Sequence, residues 1–155
     1  VIVTSCVFEN GELHFDRIIE LSKKIGKDRL VLDLSCKKNE CGWNVATNRW
    51  QTMTSTTITA ETLSTLAKHC DEFLIHAADV EGKQQGMDKE LISFLGKHSP
   101  IPVTYAGGAQ HIDDLELCNQ LSNGKVDLTI GSALDIFGGK GIKYFDCIQY
   151  NKKNR

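Results

Sequence analysis

The chain has 155 residues, 41% of them hydrophobic and 25% charged, which describes one ordinary globular domain with enough chain to bury a core. Its 18 basic and 20 acidic residues leave a net charge of −2, so no bulk attraction for nucleic acid or for an anionic membrane is expected. No apolar run reaches 18 residues, so no membrane span is expected either.

In chain order, Val1-Ile2-Val3 reads as a strand ending on two hydroxyl residues, Thr4 and Ser5. It opens without a polar leader, which suggests the missing start of a longer protein. Residues 9–12 form a turn. Phe15, Ile18, Leu21 and Ile25 mark a helix stopped at Gly26. Residues 29–34 make the next strand, with Asp33 at its end. The polar stretch 35–57 carries Trp43, Arg49 and Trp50. Its length points either to a functional loop or to a small hairpin of its own. The Ser/Thr-rich run from Thr52 to Thr59 reads as flexible loop. Thr59 can cap a helix whose face is Leu63, Leu66, Ala67 and Cys70. Residues 72–77 are a strand, and 78–87 a polar loop. Asp88 can cap a helix with Leu91, Ile92 and Leu95. Residues 102–106 form a strand closed by Gly107 and Gly108. Ile112, Leu115, Cys118 and Leu121 give one face of the next helix, and residues 126–130 form a strand closed by Gly131 and Ser132. A last helix is expected to carry Ile142, Phe145 and Ile148, followed by the basic tail 152–155.

Strict β-α alternation implies a parallel sheet with crossover helices. No G-x-G-x-x-G fingerprint opens the chain, and polar or glycine residues follow every strand. That is the habit of the (β/α)₈ barrel, whose chemistry sits at the C-terminal ends of its strands. The first strand also resembles Leu128-Thr129-Ile130-Gly131-Ser132, 127 residues on, about half of a barrel of roughly 250 residues. The fold class is therefore α/β, a partial (β/α)₈ barrel of strands four to eight. Residues 1–155 would be the C-terminal portion of one barrel domain.

The turns Gly107-Gly108 and Gly131-Ser132 each close an apolar strand and lie 24 residues apart. Uncovered N–H groups there suit a phosphate. Turn glycines with no ligand are the alternative. The six cysteines show no zinc-ligand spacing. Cys36 and Cys41 could bridge a loop, but reduced thiols in an intracellular enzyme are the expectation.

The segments VIVTS, RLVLDLSCKK, NRWQT, DEFLIHAADVEGK, PVTYAGGA and KVDLTIGSALDIFGG resemble the eukaryotic form of the ribotide isomerase family of histidine biosynthesis. The resemblance implies a barrel that catalyses an Amadori rearrangement of an aminoaldose to an aminoketose. The substrate would be a small molecule with a phosphate at each end, and no metal or organic cofactor is implied. By position, Gly107, Gly108, Gly131 and Ser132 match the site for one phosphate, and Thr4 and Ser5 part of the other. Asp33 matches the carboxylate that acts as general acid in opening the sugar ring; the family's general base stands on the first barrel strand. Trp50, favoured over Trp43, matches a tryptophan that stacks on the imidazole ring, making 35–57 a lid. His76 stands where the bacterial pattern has Thr, and Glu81-Gly82 where it has Asp-Gly. Taken without the family, His76 reads equally as a strand-end histidine satisfied by a carbonyl, and Glu81 as a solvated loop acid.

Two rivals stand beside the isomerase. The cyclase subunit of imidazole glycerol phosphate synthase shares the barrel and both phosphate sites. An inert phosphate-binding fragment is the other: standing alone, a five-strand arc has two open edges, so self-association without turnover is expected. The expected compartment is cytoplasm, or plastid stroma for a plant source.

Overall fold

A computed structural model describes residues 1–83 and 86–154. Positions 84 and 85 of the expected polar loop and Arg155 of the tail lie outside the described residues. The chain opens with β1 (Ile2–Val3), a 3₁₀ turn over Ser5–Val7, and the hairpin β2 (Phe8–Glu9) and β3 (Glu12–Leu13). The hairpin turns at Asn10 and Gly11, both at positive φ, where these residue types cost little. Helix α1 (Phe15–Ile25) buries Ile18 and stops at Gly26, which has φ of 94°. Next come β4 (Val31–Asp33), then β5 (Cys36–Asn39), β6 (Gly42–Thr47) and β7 (Thr52–Thr57). After α2 (Ala60–Leu66) the elements run β8 (Glu72–His76), α3 (Lys89–His98), β9 (Val103–Ala106), α4 (Asp113–Ser122), β10 (Val126–Thr129) and α5 (Tyr144–Lys153).

Five strands form one parallel sheet in the order β1-β4-β8-β9-β10, with helices between successive strands. This is the α/β architecture expected, an arc consistent with part of a barrel. Caps fall where the hydroxyl and carboxylate residues predict. Thr59 accepts from the Thr62 N–H at 3.1 Å, and Asp88 from the Leu91 N–H at 3.0 Å.

The core lies between the sheet and its helices. Leu32, Phe73, Ile75, Val103 and Tyr105 face Leu63, Leu66, Leu91, Ile92 and Leu95 there. The alternate residues of the strands, including Asp33, Glu72, Leu74, Thr104 and His76, lie on the opposite sheet face. On that face Thr104 donates to Glu72 at 2.6 Å.

Three expectations are corrected. The run 52–59 is not a flexible loop: its first six residues are β7, the outer strand of an antiparallel sheet β5-β6-β7. Its alternating Thr and Ser side chains bond to neighbours, Thr54 to the Val45 carbonyl and Ser55 to Glu12. On α4 only Cys118 of the expected face is fully buried, joined by Ser122. Ile142 precedes α5 and pairs with Leu134, while Phe145 is 63% exposed.

The α3–α4 contact explains the α4 result. A Cβ on Gly96 would meet Ser122 Cα at 2.6 Å and its carbonyl oxygen at 2.7 Å, so the helices touch backbone to backbone. In an isolated helix Gly→Ala gains about 1 kcal/mol. Here the clash reverses that sign, and Gly96→Ala is expected to lose roughly 1–3 kcal/mol in denaturant unfolding.

Candidate functional site

The register brings the two titratable strand ends together. Asp33 pairs with Leu74, and His76 lies two residues beyond it on the same face. The His76 Nδ1 stands 3.2 Å from Asp33 Oδ1, and the Ser35 hydroxyl donates to the same oxygen at 3.0 Å. Asp33 is only 9% exposed. The bond to Asp33 is the main cause raising the His76 pKa above 6.5. Burial opposes this, and the charges of Asp33 and then Glu81 add to it. Because the folded value lies above the unfolded one, the pair's stabilisation is fully present below the ordinary imidazole range. It is lost as pH rises through the raised value.

A cavity of about 630 Å³ opens over this pair. Thr4, Ser5, Asp33, Trp50 and His76 all line it. Ser35 and Arg49 line it too, and neither was singled out from sequence as a site residue. Ser35 stands two residues after a strand-end carboxylate, and Arg49 directly precedes the tryptophan. The β6–β7 turn holds Asn48, Arg49 and Trp50 at φ of 51°, 54° and 64°. Left-handed backbone costs about 1–2 kcal/mol for a residue with a Cβ, so Arg49 and Trp50 are held over the cavity against a local penalty.

The sheet beneath that turn is fixed to the parallel strands. Its Cys36 bridges Ala77, the Lys38 N–H donates to Asp79 at 2.7 Å, and the Lys38 Nζ pairs with Glu90. Trp43 donates its indole N–H to Asp88 at 2.8 Å and packs on Phe94. The two tryptophans thus differ in placement: Trp50 lines the cavity and Trp43 fastens the sheet to α3.

The second set gathers at the ends of β9 and β10. Gly107, Gly108, Gly131, Ser132 and Glu81 line one small concavity. Gly107 and Gly108 have φ of 123° and 77°, which only glycine adopts readily. Backbone N–H groups in such turns can hold an oxyanion. A carboxylate would repel a phosphate there, so Glu81 is suited to a hydroxyl or a proton beside the cradle, not to the phosphate itself. The ten residues proposed from sequence fall into these two hollows, five in each. Among the described residues no group of three or more His, Cys, Asp or Glu is placed to hold a metal. Cys36, Cys70 and Cys118 are buried thiols, pushed up to about 12, 12 and 11 by loss of solvent, which makes them poor nucleophiles.

Parallel strands with polar and glycine residues gathered beyond their C-terminal ends define an α/β protein with its site at the strand ends, an arrangement consistent with part of a barrel. The chain belongs to the histidine biosynthesis protein family, whose model matches residues 1–140. It is 55% identical over 162 residues to the 1-(5-phosphoribosyl)-5-((5-phosphoribosylamino)methylideneamino) imidazole-4-carboxamide isomerase of Yarrowia lipolytica, covering 99% of this chain and 61% of that protein. The isomerase of the same name from Saccharomyces cerevisiae is 49% identical over 159 residues, again with 99% and 61% covered. The chloroplastic one from Medicago truncatula is 49% identical over 155 residues, covering 100% of this chain and 49% of that protein. The chain thus spans about half to three fifths of the length of these relatives. No helix of the described residues is long and apolar enough to cross a membrane.

Proposed function

We propose that this chain forms strands four to eight, with their helices, of an aldose–ketose isomerase barrel. The enzyme would rearrange the bis-phosphorylated imidazole carboxamide ribotide of histidine biosynthesis. The observation that carries the reading is the Asp33–His76 pair under a cavity, at the same strand ends as the glycine turns of β9 and β10. The relatives' name supplies the substrate.

An Amadori rearrangement needs a proton delivered to the ring oxygen and another taken from C2. The Asp33–His76 pair is the acid. The base is the carboxylate that the family carries on its first strand. Gly107, Gly108, Gly131 and Ser132 hold one phosphate through backbone N–H groups and a hydroxyl, while Thr4 and Ser5 contribute to the other. Trp50 stacks on the flat imidazole ring.

The test is an assay of the full-length protein on the purified aminoaldose ribotide. Conversion to the aminoketose isomer without ammonia or glutamine supports the reading. Ring closure only when ammonia is supplied assigns the cyclase instead, and no turnover of either substrate overturns both.

A further inference from the structure

The isomerase reading leaves open which member of the acid pair carries the proton. Resting on that reading, we infer that His76, as an imidazolium, is the proton donor of ring opening, and that Asp33 is the fixed anion that orients and charges it.

Three observations support this. First, Asp33 Oδ1 already receives the Ser35 hydroxyl and faces His76 Nδ1, which suits an ionised acceptor better than a carboxylic acid. Second, the His76 side chain is 26% exposed and that of Asp33 9%, so the ring is the member a substrate can reach. With Nδ1 turned to Asp33, Nε2 is the nitrogen left for the cavity that His76 lines. Third, the charges around the ring favour its cationic form. Asp33 faces it from β4 and Glu81 from the loop after β8, both raising its pKa. The register partner on β9 is the uncharged Ala106, and Arg49 on the β6–β7 turn is the opposing cation of the cavity lining.

The step balances. The His76 Nε2–H bond breaks and its proton goes to the ring oxygen as the C1–O bond cleaves. The bond electrons stay on that oxygen, and the exocyclic nitrogen's lone pair forms the C1=N bond. His76 is left neutral. The base removes the C2 proton to give the enolamine. The protonated base then delivers its proton to C1 while the C2 enol O–H returns one to His76, so both groups are regenerated and the cycle closes with no net proton change.

The test uses full-length protein with isotope-labelled histidine. NMR should show His76 titrating above about 6.5 in the wild type and lower in Asp33→Asn. The alkaline fall of kcat/KM should follow the His76 titration and move to lower pH in Asp33→Asn. His76→Gln should cut kcat by about 100-fold or more while affinity for the ketose product changes by less than about threefold. The donor role is overturned if wild-type His76 titrates at or below about 6.5, if the alkaline limb stays in place in Asp33→Asn, or if His76→Gln keeps kcat within about threefold. A wild type with no isomerase turnover overturns the functional reading and the donor role together. An active wild type with any of the three contrary results overturns the donor role alone.

Discussion

Asp33→Asn in the full-length protein is expected to lower isomerase turnover by about 10²- to 10⁴-fold while leaving the fold in place. Asparagine has the shape of aspartate and keeps an oxygen that can accept from Ser35 and His76, so the bonds recorded at Oδ1 have a replacement acceptor. What it lacks is charge. Without the anion the imidazole loses the main interaction that raises its pKa, so its cationic, proton-donating form is less favoured. This loss is common to both assignments of the proton, to Asp33 or to His76. It therefore tests the pair itself. The stability cost is one charge-assisted bond exchanged for a neutral one, roughly 1–2 kcal/mol. A thermal melt should therefore fall by only a few degrees, about 2–4 °C per kcal/mol for a protein of this size class. Activity within about tenfold of wild type would remove Asp33 from the chemistry. A melt that collapsed would make Asp33 a structural residue first.

The parts legible in the sequence are those set by local rules. Apolar runs closed by Thr4-Ser5, Asp33, His76, Gly107-Gly108 and Gly131-Ser132 marked all five parallel strands, because each bears β-branched or aliphatic residues and a turn signal. Thr59 and Asp88 marked two helix starts by their capping chemistry. The antiparallel sheet over residues 36–57 was harder to see. Its strands CKKN and TMTSTT carry few apolar residues, and both pair with β6 between them, helped by bonds such as that of the Thr54 hydroxyl to the Val45 carbonyl. The bond between Asp33 and His76 spans 43 residues and depends on the β4–β8 register, which no local pattern encodes. The choice of Cys118 and Ser122 over Leu115 and Leu121 on α4 follows from the backbone contact at Gly96, a tertiary fact.

A paired substitution at the glycine turns separates fold from anion binding, and it gives the second large effect. Gly108→Ala is expected to destabilise the full-length protein by about 3 kcal/mol or more. Its φ of 77° disfavours any Cβ, and that Cβ would lie 2.1 Å from the Gly86 carbonyl oxygen and 3.1 Å from Val80 Cγ2. The Gly86 N–H in turn donates to the Gly108 carbonyl at 3.0 Å, so the loop after β8 cannot retreat without breaking that bond. The melting temperature should fall by roughly 6–12 °C. Gly131 differs in both respects: its φ is not positive, and nothing lies within 4 Å of an added Cβ. Gly131→Ala should therefore fold as the wild type does, with a melt changed by less than about 2 °C. Gly131 lines the small concavity with Gly107, Gly108 and Ser132, so if a phosphate binds there as proposed, the added methyl would crowd it. KM for the ribotide should rise by about tenfold or more, with kcat changed less, because phosphate binding is shared by ground and transition states. A Gly131→Ala protein with wild-type stability and wild-type KM would exclude the β10 turn as a phosphate site, whatever Gly108→Ala does. That asymmetry is why the open glycine and not the crowded one decides the function of these turns.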